Sequence, residues 1–469
     1  MINTKKILFL VAIVLLAIFF ISFFDKGLAV GLLIAIFLTA TTFCVLYKLG
    51  VKDRELYIII SLFFLVHLSV VLFIYLTGFQ PFSGGADYDG YHHSAVEIAQ
   101  RFRHFNFYLA DLDLLHYFPV IIGLVYAISL PKMIVGQLFL VWIAVFSAIF
   151  LYFIILEIGG SKKSAFFILL IFSFYPSFLF FSSLLLKDSL VVLLSLAGLL
   201  LFIKMMKDFT ALKFLAFFAV LTCLIHFRFY IGFALMFSFV ACWFFLVNLK
   251  FEEKIVYGFA VIFLLGFSPY LVGCGYFGAI PMESFLNKDS ITNYREVAYA
   301  PIENSNCAEN GRLTESGKIS SCPASEISGT SSSFNLETGF GNKYKFITNY
   351  AISFVYSFLG PFPWQLKQKS HLFFLLETIP WYFIIFLILR GMAMRIKKNG
   401  LKNFFKTYKL ALPLLVFSLL ALSALSLFIN NFGIIVRIRM PVFSALMCLL
   451  ALNNNAFEKY VWNNRNIQL

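Results

Sequence analysis

Long runs of apolar residues, separated by short polar breaks, follow one another along most of this chain. Each run is close to the ~20 residues that an α-helix needs to cross a ~30 Å hydrocarbon core. The pattern predicts an all-α polytopic membrane protein with about 12 transmembrane helices. The predicted spans are residues 7–24, 31–47, 57–77, 133–158, 164–181, 189–203, 214–225, 230–249, 255–272, 373–389, 410–428 and 442–452.

Two further apolar segments are interrupted. Residues 116–130 are short for a crossing and contain Pro119, and residues 346–364 end in the sequence Gly-Pro-Phe-Pro-Trp. We predict that both segments are re-entrant or interfacial, because a proline removes a helical hydrogen bond that lipid cannot replace. This interpretation also leaves the basic residues of segment 390–402 on the same side as the other Lys- and Arg-rich loops.

Composition supports the membrane assignment, since 61% of the 469 residues are hydrophobic and 13% are charged. A soluble protein carries about 25% charged residues. The formal net charge of +14 does not indicate nucleic-acid binding, because the Lys and Arg residues lie in short loops between apolar runs. Such loops face the cytoplasm. We therefore expect both termini in the cytoplasm, in a bacterial inner membrane, with the active face outside.

The chain divides into three regions on this interpretation. Residues 1–272 form a transmembrane region that includes an exterior acidic loop, residues 79–118. Residues 273–345 form an exterior polar loop, and residues 346–469 form a C-terminal transmembrane region. In an oxidising compartment two of the three cysteines of the polar loop could form a disulfide, and the sequence does not select the pair. These cysteines are Cys274, Cys307 and Cys322.

The unusual polar residues gather at the exterior face under this topology, and the first group lies in the acidic loop. Asp87 and Asp89 follow a glycine-rich turn and begin an amphipathic helix, whose apolar stripe we expect to face lipid. Either carboxylate could be a plain helix cap. Tyr91, His92 and His93 come next and are candidates for binding a substrate, which would be a sugar or the molecule that accepts it.

The remaining groups lie at other exterior boundaries. Lys187 and Asp188 share a turn with almost no loop, and Arg228 occupies a similar turn. Asp188 could be an N-cap, and Arg228 could simply reach lipid headgroups. Arg437 and Arg439 are basic residues on the side that the positive-inside rule disfavours, so they require a ligand or an acidic partner.

Trp364 completes the set, in a proline-rich aromatic turn that is also explained by an interfacial position. Taken together, these groups predict a pocket that bears carboxylates and cations. One carboxylate among the catalytic candidates would act as a general base on an acceptor. The cations would bind a donor phosphate and stabilise it as it leaves. The catalytic candidates are Asp87, Asp89 and Asp188, and the phosphate-binding candidates are Lys187, Arg228, Arg437 and Arg439.

Residues 84–95, Gly-Gly-Ala-Asp-Tyr-Asp-Gly-Tyr-His-His-Ser-Ala, resemble the first exterior loop of the GT-C glycosyltransferases. That superfamily includes the protein mannosyltransferases and the aminoarabinose transferases that modify lipid A. Residues 175–178 and 182–190 look like its second acidic motif. The resemblance implies a GT-C-like fold, an exterior site, inverting transfer and a polyprenyl phosphate or pyrophosphate sugar donor. It implies a catalytic Asp87, with Asp89 as its competitor.

The predicted partners are therefore a polyprenyl-linked sugar donor, a glycan, lipid or protein acceptor, and membrane lipids. No residue spacing predicts a metal site, and dependence on a divalent metal is left open. One alternative is an oligosaccharide repeat-unit polymerase or O-antigen ligase, which would suit the exterior arginines and the long polar loop. Another is a lipid or solute transporter or flippase, which predicts mid-membrane polar groups and discontinuous helices.

Overall fold

The computed structural model of the protein describes most of the chain outside the polar loop and the termini. The described residues are 4–79, 87–109, 111–112, 114, 117–247, 249–271, 288, 291–292, 295, 334, 341–365, 373–400, 403, 405 and 408–453. They form helices and loops, with no β-strand among them. Cys274, Cys307 and Cys322, and the glycines that precede Asp87, lie outside the described residues.

The described helices follow the apolar runs closely. They are α1 (Thr4–Phe24), α2 (Lys26–Lys48), α3 (Arg54–Thr77), α4 (Asp87–Arg103), α5 (Phe118–Ala127), α6 (Met133–Glu157), α7 (Lys162–Ser173), α8 (Pro176–Phe181), α9 (Asp188–Lys207), α10 (Ala211–Phe227), α11 (Phe229–Leu246), α12 (Phe251–Leu271), α13 (Lys343–Leu359), α14 (Phe373–Asn399), α15 (Leu412–Phe428), α16 (Phe432–Ile438) and α17 (Met440–Leu450).

Among the described residues, seven helices are long and apolar enough to cross a membrane. An eighth span is formed if α16 and α17, which meet at an angle of 51°, count as one bent crossing. The chain is therefore an all-α, multi-pass membrane protein, and about 12 full spans is more than the structure supports. The seven helices are α2, α3, α6, α9, α11, α14 and α15.

The clearest correction concerns the predicted span at residues 164–181. Helix α7 ends at Ser173, and α8 begins only at Pro176 and ends at Phe181. Tyr175 is extended, with φ −69° and ψ 112°, because the ring of a following proline disfavours helical backbone. The apolar run is thus continuous in sequence while the helix is broken.

The predicted interfacial segment at residues 116–130 contains α5, a helix of 10 residues. Its length of about 15 Å is half the hydrocarbon thickness, so it cannot cross alone. The apolar stripe of α4 packs on α5 and does not face lipid as we expected. A Cβ placed on Gly123 of α5 would lie 2.6 Å from the Ile98 side chain of α4. The Arg103 guanidinium then donates to the carbonyls of Tyr126, Ala127 and Ser129, which fixes the end of α5 to α4.

Ion pairs and helix directions separate the two ends of the helical bundle. At one end Lys162 pairs with Asp53 at 2.8 Å. Helix α9 starts at Asp188, and its 20 residues span about 30 Å. Its far end carries Lys207, which pairs with Glu157 at 2.6 Å. We call the end that contains Asp188 the site end, and the end that contains Lys162 and Lys207 the basic end.

Helices α6 and α17 form the centre of the bundle. About 72% of the membrane-spanning window of α6 is buried inside the protein. All 11 residues of α17 are buried, and the helix packs against α15, α9 and α14. Because α17 starts at the site end and is enclosed on all sides, the residues just before it are held in a rigid setting.

We predict opposite accessibility for the two ends. Asp89 at the site end and Lys397 at the C-terminal end of α14 are both exposed. Single cysteines at these positions, in a chain whose seven native cysteines are replaced by alanine, should react differently with a membrane-impermeant maleimide. In intact cells the maleimide should label only one of these two cysteines, and it should label the other only after the membrane is permeabilised. A cysteine at Lys163 is the control, and its labelling should match that of position 397. Equal labelling of positions 89 and 397 in intact cells would contradict their location at opposite ends of the bundle.

Candidate active site

After the break that follows α7, the chain turns inside the protein, and Asp188 lies buried at the site end. Between α8 and α9 the chain runs through residues 182–187 without helix, and Ser182 and Ser183 are buried. Non-helical backbone at membrane depth is tolerated only where protein encloses it. Asp188 is the first residue of α9, where the positive end of the helix dipole favours a carboxylate. Its side chain is only 3% exposed.

Two arginines from distant elements bind the two oxygens of this carboxylate. Arg228, in the extended turn between α10 and α11, donates from Nη2 to Asp188 Oδ1 at 3.0 Å. Arg437, in the last turn of α16, donates from Nε to Asp188 Oδ2. Both guanidinium groups are largely buried. Charges taken out of water persist when they are paired and hydrogen-bonded, and this arrangement satisfies that condition.

Asp87 extends the network to the surface. It lies in the first turn of α4 and accepts a hydrogen bond from Arg437 Nη1 at 2.9 Å. Its side chain is 53% exposed, in contrast to Asp188. Arg228 Nη1 also donates to the Tyr230 hydroxyl at 3.1 Å. We call Asp87, Asp188, Arg228 and Arg437 the Asp188 cluster.

The cluster retains unused hydrogen-bond donors. Arg437 Nη2 and Arg228 Nε are buried, and neither has a hydrogen-bond partner among the described residues. A buried N–H without a partner is unfavourable, and guanidinium groups are well suited to the oxygens of phosphate. The two carboxylates and two guanidinium groups balance in formal charge. The site can therefore accept an anion most easily if one carboxylate leaves its arginine.

Lys187 lies beside the cluster and is partly buried. It directly precedes Asp188 in the sequence, and its role in phosphate binding stays a prediction.

The three aromatic and histidine candidates on α4 have different surroundings. Burial, and next the Asp87 carboxylate, raise the pKa of Tyr91 to about 12, so its hydroxyl stays protonated near the cluster. A ring nitrogen of His92 and the Tyr126 hydroxyl are hydrogen-bonded at 3.0 Å, and burial lowers the pKa of His92, which favours the neutral ring. His93 is exposed.

The structure separates the two competing carboxylates of the acidic loop. Asp87 reaches Arg437, whereas Asp89 is exposed and forms no ion pair within the described part of the chain. Two residues apart on a helix, the side chains point in directions about 200° apart. Only Asp87 therefore belongs to the cluster.

Arg439 lies outside the cluster. It is fully buried and donates to Glu377 Oε1 at 2.8 Å and to the Gly360 carbonyl oxygen. Its guanidinium carbon also lies 5.1 Å from the centre of the Phe443 ring. These contacts hold the junction of α16 and α17 against α14 and the turn after α13, so its role in phosphate binding stays a prediction that the contacts of the cluster do not support.

Trp364 also lies apart from the cluster. Its indole is 78% exposed and stacks on Phe362 with ring centres 4.8 Å apart. Within the described residues the indole makes no hydrogen bond to the cluster. Its assignment to sugar binding stays a prediction that the contacts of the cluster do not support.

Two buried polar residues were not singled out from the sequence. Glu377 is a lone carboxylate in the apolar run 373–389, and an ionisable residue in such a run is a signal of function or pairing. His67 is fully buried in α3, where its Nδ1 and the Ser182 hydroxyl are hydrogen-bonded at 2.8 Å. His67 thereby ties α3 to the non-helical segment that precedes Asp188.

We predict that Glu377→Ala destabilises the protein strongly. The change leaves the buried Arg439 charge without a carboxylate, which lowers the free energy of unfolding by about 3–5 kcal/mol. Thermal unfolding of the purified full chain in detergent would measure the loss.

The matched control is Glu97→Ala, which removes an exposed ion pair with Arg101 and should cost at most about 1 kcal/mol. Replacing both buried partners, Glu377→Leu with Arg439→Met, should recover most of the stability. Equal small losses in Glu377→Ala and Glu97→Ala would show that the buried pair does not hold the junction.

Within the described residues no group of three or more His, Cys, Asp or Glu side chains could hold a metal ion. Comparison with protein-family models, curated proteins and solved structures finds no match to this chain. The contacts and charges of the Asp188 cluster are therefore the basis for a functional proposal.

Proposed function

We propose that the protein is a membrane glycosyltransferase that uses a polyprenyl phosphate or pyrophosphate sugar donor. The acceptor would be a glycan, lipid or protein of the cell envelope. The observation that supports this most is the Asp188 cluster itself, in which two carboxylates and two arginines from four separate elements meet at one end of the bundle.

Phosphate recognition would use the unpaired donors of the cluster. Within the cluster these donors are Arg437 Nη2 and Arg228 Nε, which are buried and have no hydrogen-bond partner among the described residues. A polyprenyl donor presents its phosphate at the membrane boundary while its tail stays among the helices. Asp87, which is half-exposed, would leave Arg437 when phosphate binds, whereas the buried Asp188 would keep both arginines in position.

Released from Arg437, Asp87 would serve as the general base. It would take a proton from the acceptor hydroxyl as that oxygen forms a bond to the anomeric carbon of the sugar. The bond from the anomeric carbon to the phosphate oxygen would break, and the polyprenyl phosphate or pyrophosphate would leave. Arg228 and Arg437 would stabilise the negative charge that builds on the leaving phosphate.

The proposed orientation follows from charge. Lys and Arg residues concentrate at the basic end and in the loops connected to it, and the positive-inside rule would put that end in the cytoplasm. The Asp188 cluster would then face the exterior, where envelope acceptors lie. A bacterial inner membrane is the setting that fits a polyprenyl-linked donor.

Two other functions remain open to test. A repeat-unit polymerase or ligase would use the same arginines on a pyrophosphate-linked donor, with Asp87 dispensable.

A transporter or flippase is favoured by two interrupted helices that meet at the site end: α8 contacts α16, and α16 meets α17 at 51°. That function would move the lipid-linked sugar without transferring it.

We predict that Asp87→Asn lowers sugar transfer by about 10²–10⁴-fold, because the amide cannot accept the acceptor proton. Analysis of envelope glycans from cells that carry the variant would show the loss. Asp89→Asn is the matched control and should retain near-normal glycans, since Asp89 lies outside the cluster.

Expression and membrane insertion of each variant are checked in parallel. Arg437→Ala and Asp188→Asn should also abolish transfer. If Asp87→Asn is normal while Arg437→Ala is inactive, the polymerase or ligase function replaces the single-sugar transferase. If all three variants give unchanged glycans, the enzyme proposal is wrong.

A further inference from the structure

The basic end, which lies opposite the Asp188 cluster, includes a stretch of sequence without acidic residues. Residues 378–457 contain no Asp or Glu. Within that stretch seven basic residues lie close together in the sequence: Arg390, Arg395, Lys397, Lys398, Lys402, Lys406 and Lys409. Glu377 and Arg395 are 18 positions apart on α14, which places them about 27 Å apart along the helix. Since Glu377 lies at the site end, Arg395 lies at the other membrane boundary.

Arg395 lies at a small apolar pocket. The pocket is formed by the end of α14, the start of α15 and the end of α17, and it is lined by Met392, Arg395, Tyr408, Ala411, Leu412, Leu415, Leu449 and Leu452. Among these described lining residues, Arg395 carries the one charged side chain. A slot that combines hydrocarbon walls with one cation at a membrane boundary matches the division of a phospholipid into acyl chain and headgroup.

Arg395 is held in place by an aromatic residue. Its guanidinium carbon lies 4.8 Å from the centre of the Tyr408 ring, and Nη1 donates to the Tyr408 hydroxyl. No carboxylate within the described part of the chain forms an ion pair with it. An arginine stacked on an aromatic ring keeps its charge and most of its donors available to a phosphate.

Three lysines of this end pair with carboxylates: Lys162, Lys207 and Lys213, at 2.8, 2.6 and 2.8 Å respectively. Arg395 differs from these three, because its hydrogen-bond partner among the described residues is the Tyr408 hydroxyl and not a carboxylate. A bound anion would therefore supply the counter-charge at this pocket.

We propose that this pocket binds an anionic glycerophospholipid, with the headgroup phosphate on Arg395 and an acyl chain along Leu412, Leu415 and Leu449. Basic pockets between membrane helices on the cytoplasmic side bind anionic headgroups by the same chemistry. This binding site does not depend on the function of the Asp188 cluster.

The test uses the full chain in nanodiscs of phosphatidylcholine that contain a minor fraction of phosphatidylglycerol. After transfer to mild detergent, native mass spectrometry counts the phosphatidylglycerol that each variant retains. Arg395→Gln removes the charge and keeps a group that can hydrogen-bond to Tyr408. We expect it to lower retention about fivefold or more, the factor for one basic residue at an anionic surface.

Lys397→Gln is the matched control. Lys397 is exposed on the same turn of α14 and lies outside the pocket, so its change should alter retention less than twofold. Leu412→Trp fills the slot without changing charge and should reduce retention as Arg395→Gln does. Normal retention in Arg395→Gln, equal losses in Arg395→Gln and Lys397→Gln, or equal retention of phosphatidylcholine would each overturn the proposal.

Discussion

The structure depends on one buried ionic contact, in which the Asp188 carboxylate lies between Arg228 and Arg437. A carboxylate that is 3% exposed inside a membrane protein needs a positively charged partner that the protein itself supplies. The requirement brings the turn between α10 and α11 to the start of α9, and it brings the bend between α16 and α17 to the same place. Asp87 then completes the group from the surface side.

Breaks in the helices make this contact possible. The helix through residues 164–181 is broken at Tyr175. After the break, residues 182–187 turn inside the protein, and α9 begins at Asp188. The bend at Arg439 also gives two nearby arginines different partners. Arg437 binds Asp188 and Asp87, whereas Arg439 binds Glu377 and the Gly360 carbonyl.

The two ends of the bundle differ in how arginine charge is compensated. At the site end Arg228 and Arg437 are matched by carboxylates, one of which, Asp87, is half-exposed. At the basic end Arg395 has no carboxylate partner among the described residues and stacks on Tyr408. On our proposals, the first arrangement would bind a reacting phosphate and the second the phosphate of a lipid.

Much of this organisation could be predicted from the sequence. Hydropathy indicates most of the helices, and charged residues at the ends of apolar runs indicate Asp188, Arg228 and Arg437 as site residues. The number of full spans could not be predicted, because an apolar run looks the same whether its helix is whole or broken.

Other features depend on contacts between residues that are far apart in the sequence, and a local sequence pattern does not indicate such contacts. Asp87 and Asp89 are equivalent until the position of Arg437 is known. Arg439 was grouped with Arg437 because they are two residues apart, and its partner Glu377 is 62 positions away. The apolar stripe of α4 has the same pattern whether it meets lipid or, as here, α5.

A double-mutant cycle on the Asp188–Arg437 pair tests the buried contact most directly. Unfolding free energies of the full chain would be measured for Asp188→Asn, Arg437→Gln and the double variant. We expect the two changes to be coupled by at least about 1.5 kcal/mol, because either single change leaves a buried charge unpaired. Additive effects, within about 0.5 kcal/mol, would contradict the contact on which the site is built.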